Sequence, residues 1–219
     1  RTTGCNQNCF VIESVIDEAA SEAKIDPIDY RLMLLNNNQR HHSLLQSIAN
    51  DSNWDKNIES GFGRGVAINE FMVKNTSKGR DNFGEATSIV AMIAEIEISK
   101  KGRLVINKID CKIDCGICIN PNQVISQAEG GIMMGISMLL NEEITFENGM
   151  VVQSNYDDYK IAKMKNTPEM NISIVKSSLP PAGIAEAVVA PVMPAITNAI
   201  FAATGKRIRK LPIGKQKLV

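Results

Sequence analysis

Three cysteines fall within eight residues, in the stretch CKIDCGIC: Cys111, Cys115 and Cys118. A C-x3-C-x2-C spacing can hold three irons of a four-iron cluster and leave the fourth iron open for radical chemistry on a bound substrate. Zinc would need a fourth ligand. The two histidines, His41 and His42, lie far upstream at adjacent helical positions, which point apart and read as a surface pair. Cys5 and Cys9 bring the thiols to five, an odd number in two clusters. That pattern favours free, packed thiols over a disulfide framework. The other chemical candidate is Glu186, the only charged residue from Leu179 to Thr204, on a run of Pro, Gly, Ala and Val. A carboxylate withdrawn from water is a stronger proton acceptor, so Glu186 is a candidate base, with a plain exposed loop carboxylate as the alternative.

The elements that would position these groups change character along the chain. Residues 8–24 have helical periodicity, with Phe10, Val11, Val15, Ala19 and Ala23 near one face, widened by Ile12 and Ile16. Asp26 and Pro27 open a second helix, and 41–54 reads as a third. SGFGRG (60–65) reads as a glycine-rich hinge, VAINEFMV as a strand and 75–85 as a polar surface loop. Two strand-like runs, 88–98 and 103–113, are joined by the hairpin-length SKKG, which puts Cys111 at a strand end and Cys115 and Cys118 in the loop beyond it. Asn120 and Pro121 start a helix to Leu140 that contains Gly130, Gly131 and Gly135. Each glycine weakens a helix by roughly 1 kcal/mol, so close approach of another backbone or a ligand is expected there. A strand–ENG–strand unit (142–156), a strand (169–177), the Glu186 loop and a helix (191–207) stopped at Gly205 complete the chain. Helices come first and mixed strands follow, so the fold class is α+β with a mixed sheet and packed helices. A β/α barrel, and with it the radical iron–sulfur reading, is disfavoured because strand and helix do not alternate.

The 219 residues suffice for one large domain or two small ones. Lys+Arg and Asp+Glu both number 24, so the formal charge is zero and nothing points to nucleic acid or a membrane surface. No apolar run has the length of a bilayer span. The first residue is Arg1, with neither an initiator Met nor a signal-like segment, which suggests a portion of a longer protein. Localisation is therefore not readable, with bacterial cytoplasm and periplasm both open.

The segments GICINPNQVISQAEGGIMMGIS and PPAGIAEAVVAPVMPAITNAIFAATGKRIRKLP carry a further signal. Asp114-Cys115-Gly116, Asn120-Pro121, Gln127-Ala128-Glu129-Gly130-Gly131 and the tail Pro194–Pro212 resemble the molybdenum-cofactor-binding large subunit of the xanthine oxidase family, in particular its isoquinoline 1-oxidoreductase β-subunit type and the related aldehyde dehydrogenases. RTTGCNQNCFVIESVIDE at the start is similar to a segment of the same family, so the resemblance covers nearly the whole chain. The family's MGQG cofactor loop has no counterpart, which implies the C-terminal portion of such a subunit. The expected organisation is a helical segment, 1–59, opening with a cofactor-loop-like stretch, then an α+β molybdopterin-binding region, 60–219.

The resemblance implies a molybdenum–pterin cofactor whose metal is held by the pterin dithiolene and by no side chain. By analogy with bacterial relatives it would be the cytosine dinucleotide form. It further implies hydroxylation of an N-heterocycle or oxidation of an aldehyde with water-derived oxygen. Electrons would pass to 2Fe-2S clusters in a small partner subunit, and the upstream half of the same large subunit would complete the pocket. Glu186 takes the place of the catalytic glutamate. Gln127 matches a residue that hydrogen-bonds the cofactor, Arg1 one beside the pterin, and Gly4 the same loop. Gly130 and Gly131 match the cofactor helix, with tight helix packing as the competing reason for them. Ala185 and Ala187 stand where the family has Gly and Pro, which raises the question of backbone strain beside Glu186. Two other readings stay open: a non-catalytic assembly subunit of the same fold, and the iron–sulfur enzyme built on Cys111, Cys115 and Cys118.

Overall fold

A computed structural model describes Thr2, residues 4–73 and residues 86–219. The loop expected at 75–85 and Arg1 lie outside the described residues. Four strands form one mixed sheet in the order β1-β2-β3-β6: β1 Phe62–Val73, β2 Ala86–Ile98, β3 Leu104–Asp114 and β6 Glu169–Ile174. The first three pair antiparallel, whereas β6 lies parallel to β3. A parallel neighbour requires a crossover, and α4 (Pro121–Leu140) supplies it. The architecture is α+β with a mixed sheet, as expected.

Helices cover both faces. α2 (Pro27–Leu34) and α3 (Gln39–Asp51) bury Ile28, Leu44, Leu45 and Ile48 against Val66, Ile89, Ala91 and Ile93. On the other face α4 and α5 (Val192–Thr204) bury Ile132, Ile136, Ile196 and Ile200 against Ala67, Val90, Met92 and Ile96. The odd–even split of β2 between the two cores is the period of two of a strand. It explains why SIVAMIAEIEI is apolar at nearly every position: both of its faces are inside. β3 keeps its core face only through a bulge. Pairing passes from Glu95↔Lys108 to Ile96↔Ile106, so the parity changes and Leu104, Ile106, Ile109, Cys111 and Ile113 all reach the α4–α5 core.

Several sequence expectations hold locally. Asp26 Oδ1 accepts the Ile28 and Asp29 N–H groups at 2.7 and 3.3 Å, Asn120 Oδ1 accepts from Gln123 N at 3.3 Å, and Gly205 ends α5 at φ 72°. Others are corrected. SGFGRG is no hinge: Gly63 and Gly65 lie within β1 beneath α5. A Cβ on Gly65 would sit 2.2 Å from Ala199 N, and one on Gly63 2.1 Å from Ala199 O, so glycine lets the helix backbone rest on the strand. The ENG unit is only a two-residue hairpin, β4 Phe146–Glu147 and β5 Met150–Val151, turning at Asn148 and Gly149 with φ 51° and 77°. His41 is not a surface residue. It is buried on α3, with Nε2 3.1 Å from Glu70 Oε2, and only His42 is half-exposed.

Helix α1 (Cys5–Ala23) departs most from its pattern. Val11, Ile12 and Val15, expected on the buried face, are each more than half exposed, while Glu13, Ser14 and Asp17 are buried. The reason is a set of cations brought from far along the chain. Arg31 donates from Nε to Glu13 Oε2 at 2.9 Å, and Arg207 from Nη1 to Asp17 Oδ2 at 2.5 Å. Arg31 also donates to the Glu13 carbonyl at 3.1 Å, and Arg207 stacks over the Phe201 ring at 3.3 Å.

Candidate functional site

The loop that carries Glu186 is fixed from three directions. The first is the turn after β3. Ile117 N donates to Leu179 O and Ala182 N to Cys115 O, both at 2.9 Å. Gly116 is at φ 69°, and a Cβ there would meet Pro180 O at 2.1 Å, so only glycine allows the two segments to lie this close. Asp114 braces the turn by accepting from Gly116 N at 3.0 Å and from Arg40 Nε at 2.6 Å. Burial acts to raise the Asp114 carboxyl, but those hydrogen bonds and the Arg40 charge outweigh it and hold the pKa below the ordinary value.

The second direction is the sheet. Ser88 Oγ donates to Gly183 O at 2.8 Å, and Asn69 Nδ2 donates to Ala187 O at 3.3 Å. The two side chains grip the main chain on either side of Glu186. The third is the start of the chain: Thr2 N donates to Glu186 Oε1 at 3.3 Å. Among the described residues Glu186 forms no salt bridge, and it is half-buried. Ala185 is not among the positive-φ residues, so the alanine in the family's glycine place adds no left-handed strain. Asn69 also accepts the Cys5 thiol at 3.6 Å, linking the start of α1 to the same loop. Gly4, at φ 75°, precedes α1 and lines two clefts of about 500 and 700 Å³. The larger also includes Thr2, Phe10, Met138, Met193 and Pro212.

The glycines of α4 separate into two kinds. A Cβ on Gly131 would sit 3.4 Å from the Val188 and Val189 side chains, an ordinary contact, and one on Gly135 2.6 Å from Val192 Cβ. Both face packed neighbours, and Gly135 is the one that lets α4 approach α5. Gly130 has nothing within 4 Å of a Cβ and is exposed, so packing does not explain it. Gln127 is exposed one turn before Gly131, on the helix face that meets the chain just beyond Glu186. The structure joins the start of the chain to Glu186 through Thr2 and sets Gly131 of α4 beside Val188 and Val189, while Arg1 lies outside the described residues. Thr2, Asn69 and Ser88 were not singled out from the sequence. The only signal for Ser88 and Asn69 is a polar residue on a strand face that otherwise enters the core.

The three cysteines do not assemble a cluster site. Cys111 is buried in β3 with its thiol pushed up to about 12 by burial first and Asp110 second. Among the described residues no group of three His, Cys, Asp or Glu side chains is placed to hold a metal ion.

The molybdopterin cofactor-binding domain family matches residues 11–168, about seven-tenths of the chain. This chain belongs to that family. The isoquinoline 1-oxidoreductase subunit beta of Brevundimonas diminuta is 30% identical over 214 residues, which are 97% of this chain and 26% of that protein. A membrane-bound aldehyde dehydrogenase (pyrroloquinoline-quinone) of Gluconacetobacter polyoxogenes is 27% identical over 92% of this chain and 27% of its own length. The aldehyde oxidoreductase structure from Desulfovibrio gigas superposes on all of this chain and 41% of its own with a TM-score of 0.74 at 13% identity, a likeness of fold. The chain thus spans about a quarter of the length of these two curated relatives. For a molybdopterin-binding chain the surroundings fit. Gly4 lines two open clefts, and the exposed α4 surface at Gln127 and Gly130 offers an amide and an uncovered backbone, features that suit a flat, hydrogen-bonding group.

Proposed function

We propose that this chain is the C-terminal, pterin-holding portion of a molybdenum hydroxylase large subunit, with Glu186 as its catalytic base. The molybdenum–pterin group, in its cytosine dinucleotide form, supplies two-electron oxidation of an N-heterocycle or an aldehyde with oxygen from water. Gln127, Gly4, Gly130 and Ala185 line its place, Gly131 lets α4 pack beside the Glu186 loop, and Arg1, outside the described residues, is assigned there by the family resemblance alone. A small 2Fe-2S subunit takes the electrons, and the upstream half of the large subunit completes the substrate pocket. Isoquinoline and aldehyde in the relatives' names motivate the two substrate classes.

The observation that carries the reading is how Glu186 is held. Its carboxylate receives one main-chain N–H at 3.3 Å and, among the described residues, no cation, while Ser88 and Asn69 hold the backbone around it. A base must keep a lone pair free for the proton it removes and must stay within hydrogen-bond reach of it. Pinning the main chain fixes where the carboxylate sits without consuming both oxygens. The β3–α4 turn holds the loop at Leu179 and Ala182, and α4 packs at Gly131 beside Val188 and Val189 just beyond Glu186.

Glu186→Gln in the full-length subunit, assembled with its partner, tests this. Turnover of an N-heterocycle or an aldehyde with a dye acceptor is expected to fall about 10²–10⁴-fold, the usual contribution of a positioned base, while molybdenum content is unchanged. Undiminished turnover would remove Glu186 from the mechanism.

A further inference from the structure

The CGIC turn contains a second chemistry that the cofactor reading does not use. We propose that Cys115 and Cys118 are a redox-active dithiol that closes to an intramolecular disulfide by exchange with a small-molecule disulfide. The spacing is C-x-x-C, and the place is that of many dithiol sites: between the end of a strand and the start of a helix, inside a β–α–β unit. Here the unit is β3–α4–β6, with the parallel pairing that defines it. Gly116 bends the chain between the cysteines at φ 69°. Cys115 and Cys118 flank the two-residue turn Gly116–Ile117, which keeps the two thiols close enough for Cys118 to act on the ionisation of Cys115. Neither is in a disulfide.

The exposures differ in the useful sense. Cys118 is half-exposed and Cys115 is buried. The Cys118 thiol gives up its proton to water and attacks one sulfur of the small disulfide, releasing one thiol and forming a mixed disulfide. The Cys115 thiol then gives up its proton, attacks the Cys118 sulfur and releases the second thiol. Two protein thiols and one small disulfide become one protein disulfide and two small thiols, and atoms and electrons balance. The other cysteines lie outside this turn: Cys111 is buried within β3, and Cys9 is buried on α1.

The product has a consequence for the loop beside it. Cys115 O and Ile117 N are the two main-chain groups that hold Ala182 and Leu179. A ring closed from Cys115 to Cys118 contains both, so the redox state of the pair reaches the loop that carries Glu186.

The test is covalent and does not depend on the cofactor reading. The full-length subunit with its partner is incubated with oxidised glutathione, denatured, alkylated and digested with trypsin. Cys115 and Cys118 share the peptide from Ile113 to Lys160, which holds no internal Lys or Arg. The expected result is that this peptide becomes lighter by two hydrogens, carries neither alkyl groups nor glutathione, and reverts with dithiothreitol. Amide exchange at Ala182, whose N–H is bonded to Cys115 O, should change with it, and that in α5 should not. Cys118→Ser should leave Cys115 fully alkylated. A stable glutathione adduct on Cys118 with Cys115 free, or two free thiols throughout, overturns the proposal.

Discussion

Two parts of this molecule hold carboxylates away from bulk water, and they treat them in opposite ways. Glu13 and Asp17 lie on the inner face of α1 in an arginine cage formed by Arg31 and Arg207. Glu186 lies on a loop whose main chain is gripped by Ser88 and Asn69, and its carboxylate meets one backbone N–H. In the cage the charges are consumed by the fold: they tie α1 to α2 and to the segment after α5. In the loop the positioning acts through neighbouring main-chain atoms, and among the described residues no cation meets the carboxylate. Acidity and burial alone do not mark a reactive carboxylate. A carboxylate suited to take up a proton is one whose position is fixed largely through its main chain, so that its oxygens are not all consumed by cations.

The comparison can be broken at several points. Arg31→Met strands Glu13 without its partner, and such losses are typically about 3–5 kcal/mol. A large fall in thermal stability of the full-length protein is expected, and a change below about 1 kcal/mol would mean that the cage is not structural. Next come the glycines. Gly65→Ala drives a Cβ into the α5 backbone, and overpacking of this kind costs about 1–3 kcal/mol. Gly130→Ala meets open space and should instead stabilise α4 by up to about 1 kcal/mol, with bound pterin lowered if that surface holds the cofactor.

Asp114→Asn removes a charge-assisted bond to Arg40 and is expected to cost about 1 kcal/mol near neutrality, read by chemical denaturation. The pH dependence follows from the sign of the shift. Asp114 is held below its ordinary value in the folded state, so it contributes stability above the unfolded value of about 3.9. The gap between wild type and Asp114→Asn should be full at neutral pH and close as pH falls below about 4 through the depressed folded value. Glu13 has the opposite sign. Burial, its largest influence, raises its pKa despite Arg31, so its contribution is present in acid and declines as pH rises. The smallest effect is on Glu186→Gln, which breaks no ion pair among the described residues. Its stability should stay within about 0.5 kcal/mol of wild type, and a loss like that of Arg31→Met would place Glu186 with the cage.

What could be read from the sequence divides along the same line. Asp26, Asn120 and Gly205 act through neighbours within a few residues, and their helix ends fall where local rules place them. The orientation of α1 was misjudged because the partners that bury Glu13 and Asp17 are 18 and 190 residues away. The glycines of β1 read as a hinge in the sequence because the backbone they admit belongs to α5, far along the chain. His41 reads as surface until Glu70 is placed beside it. Glu186 stood out as an isolated charge, and the family resemblance gave it a role. The grip of Ser88 and Asn69 depends on strand register, which no local motif displays.

The measurement that bears most directly on the account is the molybdenum, pterin and iron content of the full-length large subunit, purified with and without its small partner. The account predicts molybdenum and pterin near one each per large subunit, with iron present only when the partner is. Iron on the isolated large subunit without molybdenum would contradict it and reopen the cysteine cluster. Neither metal in the assembled complex would contradict it as well, in favour of an assembly subunit of the same fold.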